Sequence, residues 1–357
     1  MPISLVGIIH KKQRGDIMTS KERVIKAIEF SCPDRIPYNF DSNRTPAIPE
    51  KYGDDFEWVF VNQYQHAAES ASGRKSWETE WGIVYETIHT ELGEAVDFPL
   101  SDISKVYEYQ IPDFTKEERY AELEKAVNQN EEKYILGMFP HFLFLQMLDL
   151  VGFENLMYEF IDSPDEIEYL IAELTGSCLR VVDCMHDRGV DGMIAIEDLG
   201  VQDRLIISPV LWRQIFKPAY KKIIEKLHQY GMHFFIHSCG YIMDLIEDFI
   251  EIGVDVVQID QQDNMGIENL SEKYRGRICF FCPCDIQTIL PDGSKEQIEE
   301  SVQKLIHLLG SEKGGFMAKT YPQPESICLP EESVKYMCEL FKRHGAGEEG
   351  IKVERKL

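Results

Sequence analysis

Short apolar runs alternate with amphipathic helices along this 357-residue chain, which predicts a single (β/α)8 barrel with extra N-terminal helices. Three observations carry the prediction. Eight segments read as strands. Most are apolar without clean alternation, as strands covered on both faces of a parallel sheet are. Helical stretches separate them regularly from about residue 130 onward. A doubly wound sheet is the alternative, but no G-x-G-x-x-G and no phosphate-binding loop follows any strand.

The elements follow in order. Thr19-Ser20-Lys21-Glu22 is a capping box, with Thr19 capping and Glu22 reaching back, so a helix opens at Ser20. "DRIPYNF" (34–40) and "WGIVYE" (81–86) supply the first two strands, and "YILGMF" (134–139) the third. A long helical stretch from Phe153 restarts at Pro164, behind Asp162-Ser163. "DGMIAIEDLG" (191–200) is the fourth strand. Ser208 caps the next helix with Pro209 in its first turn, Pro218 kinks or splits it, and Gly231 ends it. "HFFIHSCG", "VDVVQID", "RICFFCPCD" and "GGFMAKTYP" complete the eight strands. Helices lie between them, and a last helix follows Pro330.

Apolar residues make up 44% of the chain and charged residues 28%, enough to build a large core and to exclude global disorder. The net charge of −25 argues against a nucleic-acid partner, because an acidic surface repels phosphates. Nine cysteines without framework spacing indicate free thiols or metal ligands in a reducing compartment. No apolar stretch approaches the roughly 18 residues of a membrane span. A cytoplasmic protein is expected, without a membrane partner. Residues 1–17 are expected to be a loosely attached extension, 18–345 the barrel, and 346–357 a frayed tail.

Barrel chemistry gathers at the carboxyl ends of the strands. Here those ends carry Asn39 and Asp41, Glu86, His141, Glu197 and Asp198, His237 and Cys239, Gln258 and Asp260, Cys282, Cys284 and Asp285, and Lys319 and Tyr321. Turns are polar anyway, so most of these are expected to be caps and turn formers. His237 and Cys239 stand out. Residues i and i+2 of a strand share a face, about 6–7 Å apart along it, so both can reach one zinc ion. Against this stands a small buried thiol beside a histidine bonded to backbone. Cys282, at a later strand end, is the first choice for a third ligand, with Cys284 and Cys328 as alternatives. The C-x-x-C at 279–282 lies within a strand, which argues against a redox role. Cys32, Cys178, Cys184 and Cys338 are expected to be packing residues. Glu197 or Asp198 is expected to add a ligand oxygen or donate a proton, with a salt bridge or turn cap as the competing reading. Arg35, Arg44, His141 and Lys319 are candidate substrate contacts.

"TSKERVIKAIEFSCPDRIPYNF", "ISPVLWRQIFKPAYKKIIEKLHQYGMHFFIHSCG" and "DIQTILPDGSKEQIEESVQKLI" resemble the uroporphyrinogen decarboxylase superfamily, from about residue 18 to 345. The resemblance implies a single (β/α)8 barrel. Its decarboxylases share an N-terminal R-Q-A-G-R-Y-type motif that grips substrate carboxylates. The corresponding region here is "NFDSNRTPAIPEKYG", with Arg44 alone near that place. The other branch holds corrinoid-dependent methyltransferases, which bind zinc through an H-x-C strand end and a later cysteine. His237 and Cys239 match the pair. The later cysteine often follows the last strand, where this chain has "AKTYPQPE". The resemblance therefore implies a zinc-dependent methyltransferase. It would act between a corrinoid (cobalamin) carried by a separate partner protein and a small thiol acceptor or a methoxy or methylamine donor. Alternatives are a uroporphyrinogen decarboxylase-type carboxy-lyase and a non-catalytic barrel that serves as a binding module.

Overall fold

The computed structural model describes residues 18–40, 53–68, 73–87, 93–139, 142–322 and 324–346. The expected extension (1–17) and nearly all of the expected tail (347–357) lie outside the described residues, as do Asp41, Arg44 and His141. Twelve strands are described: β1 (Tyr38–Asn39), β2 (Phe56–Phe60), β3 (Gln65–Ala68), β4 (Ser76–Thr79), β5 (Val84–Thr87), β6 (Gly93–Asp97), β7 (Tyr134–Phe139), β8 (Gly192–Ile196), β9 (His233–His237), β10 (Val256–Gln258), β11 (Cys279–Cys282) and β12 (Phe316–Lys319).

Eight of them form one parallel sheet in the order β1-β12-β11-β10-β9-β8-β7-β2. The sheet curls into a nearly closed barrel with helices around it, as the sequence predicts. The seam between β1 and β2 has no ladder. An Asn39–Asp54 bridge and a hydrogen bond from the Asp55 amide to the Tyr38 carbonyl (2.9 Å) join its edges.

The second barrel strand differs from expectation. It is β2, whose sequence FEWVF the charged Glu57 disguises. "WGIVYE" instead contributes β5 to a four-stranded antiparallel sheet, β3-β4-β5-β6, inserted between β2 and β7. Its strands are largely half-buried or exposed, which a sheet with one open face permits. The expected N-terminal helices reduce to Ser20–Ile28 and Ala121–Gln129 with short turns. Elsewhere the local signals hold. Thr19 and Glu22 form the reciprocal capping box, Ser208 accepts from the Leu211 amide, and the Pro218 region is two helices, Pro209–Ile215 and Lys217–Gln229.

Side-chain parity divides the core in two. Phe56, Tyr134, Leu136, Ile194, Phe235, Val256, Cys279, Phe281 and Met317 fill the barrel. Val24, Ala27 and Ile28 of the first helix pack into the same cluster and plug its amino-terminal end. Each buried Phe in the barrel interior contributes about 1.5–3 kcal/mol of hydrophobic stabilisation. The alternate residues, including Phe234, Ile236, Phe280 and Cys282, pack against the helices. With one end plugged, the chemistry is left to the carboxyl ends.

Asp55 anchors the plugged end. Its carboxylate, 1% exposed, accepts hydrogen bonds from Arg23, both terminal nitrogens of Arg35, Ser20 and the Tyr38 amide. Arg35 also lies 4.2 Å from the Tyr38 ring centroid. Expected at the substrate, Arg35 is therefore committed to the barrel floor. It precedes its strand, so the parallel arrangement puts it at the wrong end.

Candidate metal centre

Strands β8 and β9 are paired in register, Ile196 opposite His237. Just past them the chains touch backbone to backbone. Gly240 has φ +72°, and a Cβ there would lie 2.3 Å from the Gly200 carbonyl oxygen. A Cβ on Gly200 would lie 2.3 Å from the Tyr241 carbonyl oxygen. Only glycines permit this approach. It brings Asp198 against Cys239, whose amide donates to Asp198 Oδ1 at 3.0 Å.

Three donor atoms converge as a result. His237 Nε2 lies 3.6 Å from Cys239 Sγ and 3.6 Å from Asp198 Oδ1. A nitrogen, a sulfur and an oxygen donor from these residues all lie within 4.8 Å of one another. Among the described residues, this is the one cluster of three or more such side chains close enough to hold an ion.

The spacing fits zinc. Bonds of about 2.0–2.3 Å in a tetrahedron place neighbouring ligand atoms about 3.3–3.5 Å apart, close to the two separations seen here. Burial foremost, then the Asp198 and Asp260 carboxylates, raises the Cys239 thiol far above its ordinary range. A thiolate here needs a compensating cation, which a bound dication supplies.

A chain of polar side chains backs the histidine. Nδ1 of His237 lies 2.7 Å from Oε1 of Gln258, at the end of β10. Gln258 Nε2 donates to Asp260 Oδ1 at 3.0 Å, and Lys319 Nζ donates to the same oxygen at 2.6 Å. Lys319 and Asp260 are buried. Lys319, expected to contact substrate, is thus spent on an internal ion pair. Tyr321, half-buried just beyond β12, senses Asp260, Cys239 and Asp198. Burial, then these charges, raises its phenol.

Other expected residues lie elsewhere. Cys282 does not join His237 and Cys239. Phe281 faces the barrel axis, so Cys282 faces outward into the helix layer, fully buried. Cys284 packs farther out, its amide donating to Met337 Sδ and its thiol facing the Ile298 carbonyl. Cys328 is exposed in the loop beyond β12. Asp198 supplies the third donor instead. Glu197, one residue earlier, has the opposite parity. Its carboxylate is fully buried and accepts from the Phe144 amide (2.9 Å), the Leu145 amide (2.8 Å) and the Tyr220 hydroxyl. The helix Leu143–Val151 has no side-chain cap of its own, and Glu197 supplies it from another strand. Burial outweighs these bonds and pushes the carboxyl up to about 7. Among the cysteines expected to pack, Cys178 and Cys338 are buried and Cys184 half-buried, but Cys32 is exposed.

The fold and this cluster define a (β/α)8 barrel with a candidate metal centre at the carboxyl ends of adjacent strands. The chain belongs to the uroporphyrinogen decarboxylase (URO-D) family, whose sequence model matches residues 91–321. Among solved structures it is similar to a methyltransferase from Methanosarcina mazei, with a TM-score of 0.65 at 15% identity, over 91% of this chain and 99% of that one. It is also similar to a D-psicose 3-epimerase, with a TM-score of 0.46 at 9% identity, over 87% of this chain and 99% of that one. No curated protein sequence matches the chain significantly. Among the described residues, no helix is long and apolar enough to cross a membrane.

Proposed function

We propose that this chain is a zinc-dependent methyltransferase. It moves a methyl group between the corrinoid of a partner protein and a small molecule, either an acceptor thiol or a methoxy or methylamine donor. The observation that carries the reading is the convergence of His237 Nε2, Cys239 Sγ and an Asp198 carboxylate oxygen at tetrahedral spacing. His237, Cys239 and Asp198 would hold the zinc and leave one position for the substrate. When bound there, zinc supplies Lewis acidity, which lowers the pKa of a thiol or polarises a methoxy oxygen or amine.

The chain's own residues do the rest. Cys239 and Asp198 set the negative charge of the centre, and the Gly200–Gly240 contact fixes their separation. Tyr321 holds a phenolic proton beside it for a hydrogen bond to substrate or leaving group. Glu197 acts on the centre only by holding the helix Leu143–Val151 in place.

The carboxy-lyase alternative needs cations in the mouth for a polycarboxylate. Lys319 is neutralised by Asp260, and Arg35 sits at the other end of the barrel, so neither supports it. Metal analysis of protein purified without chelators separates the readings. The proposal expects one zinc per chain, lost in Cys239→Ala. It also expects zinc-dependent loss of the methylcobalamin absorbance with a suitable thiol. Zinc-free protein that decarboxylates a tetrapyrrole would establish the lyase. Protein with neither metal nor turnover would leave a binding module.

A further inference from the structure

We infer that Gln258, Asp260 and Lys319 are positioning residues that hold the His237 proton on Nδ1 and so present a bare Nε2 lone pair to the metal centre. The functional purpose rests on the metal reading above, while the proton placement rests on geometry alone.

The argument runs inward from the buried ion pair. Lys319 can only donate, and it donates to Asp260 Oδ1 at 2.6 Å. Asp260 Oδ1 is therefore an acceptor. The Gln258 amide must therefore turn its NH2 end to Asp260, as the 3.0 Å contact shows, since the flipped amide would set two acceptors face to face. That orientation leaves Oε1, an acceptor, 2.7 Å from His237 Nδ1. A neutral histidine in that place carries its hydrogen on Nδ1. Nε2 is then free of hydrogen and faces Cys239 Sγ and Asp198 Oδ1, each at 3.6 Å.

Each link is buried, so water does not easily substitute for a missing partner. Gln258, Asp260 and Lys319 are all less than 5% exposed. They come from the ends of β10 and β12, whereas the histidine they serve comes from the end of β9. An isolated histidine side chain in water favours the other tautomer, with its hydrogen on Nε2. The relay thus builds into the fold a choice that a metal would otherwise have to make by displacing that hydrogen. It also assigns Lys319 a use other than substrate binding.

The test is a two-bond 1H–15N correlation spectrum of metal-free, histidine-labelled protein at about pH 8.5, above the ordinary histidine range. His237→Asn identifies the signal. The expected result is the Nδ1–H pattern for His237, converted to Nε2–H in Gln258→Leu, which removes the acceptor. Zinc affinity, measured by competition with a chromophoric chelator, is expected to fall roughly 10–100-fold in Gln258→Leu. An Nε2–H pattern in the unmodified protein overturns the relay, as does a pattern indifferent to Gln258→Leu. The two proposals fail separately. A protein with the Nδ1–H pattern that binds no zinc keeps the relay and loses the methyltransferase reading. A protein that binds zinc but shows Nε2–H does the reverse.

Discussion

Gly240→Ala perturbs the candidate metal centre without touching one of its donor side chains. Gly240 has φ +72°, and an alanine held there costs about 1–2 kcal/mol of backbone strain. Its new methyl group would lie 2.3 Å from the Gly200 carbonyl oxygen and 2.5 Å from that of Val201. Both are backbone atoms, which cannot rotate aside as a side chain can. To turn 2.3 Å into even 3.0 Å the loops after β8 and β9 must part by about 0.7 Å, several times the roughly 0.2 Å that metal–ligand distances tolerate. Overpacking adds about 1–3 kcal/mol. The variant should thus lose about 2–5 kcal/mol of stability and at least tenfold in zinc affinity, because Asp198 withdraws from Cys239. Circular dichroism follows the unfolding midpoint, and chelator competition follows the metal. Gly200→Ala, whose backbone carries no φ penalty, should lose zinc affinity through the same clash with smaller strain. Two folded variants that bind zinc as tightly as the parent would refute the reasoning.

Three more outcomes follow from the residues the structure reassigned. Cys282→Ala should keep its zinc and lose about 1–2 kcal/mol for the small cavity, and loss of zinc in a folded variant would restore Cys282 as a ligand. Arg35→Met should lower the unfolding free energy by about 1–3 kcal/mol through its lost bonds to Asp55, with KM unchanged; a raised KM with unchanged stability would return it to the substrate. Glu197 has a folded pKa of about 7 against an ordinary 4.5, so its proton stabilises the fold fully below about 4.5 and that contribution is lost as pH rises through 7. Because Gln cannot ionise, Glu197→Gln should gain on the parent by up to about 3 kcal/mol between pH 4.5 and 8 in urea titrations, and a stability difference independent of pH would contradict the burial argument.

These reassignments show what a linear reading can hold. His237 and Cys239 were legible because i and i+2 on one strand share a face whatever the partner strand does. Thr19, Glu22 and Ser208 were legible because caps are local. Cys282 was misplaced because C-F-F-C is apolar on both faces, so no alternation says which parity meets the axis. Only the packing of Phe281 with Phe56 and Phe235 decides it. Glu197 and Asp198 were equivalent as strand-end acids, and the same parity separates a helix cap from a candidate ligand. The Lys319–Asp260 pair joins residues from separate strands, so its partners became visible only with the strand order. The Gly200–Gly240 contact left a trace in the sequence, two glycines after strand ends, but glycines there are common. FEWVF carries an acid in mid-strand, and only its parallel pairing with β7 marks it as a barrel strand.

The central claim is that His237, Cys239 and Asp198 bind one zinc between them. X-ray absorption at the zinc edge tests it most directly, on protein loaded with one equivalent. The account predicts a single sulfur at about 2.3 Å with the remaining ligands nitrogen or oxygen at about 2.0–2.2 Å. It also predicts that the sulfur disappears in Cys239→Ala. Two sulfurs in the unmodified protein, or a sulfur that survives that substitution, would contradict it.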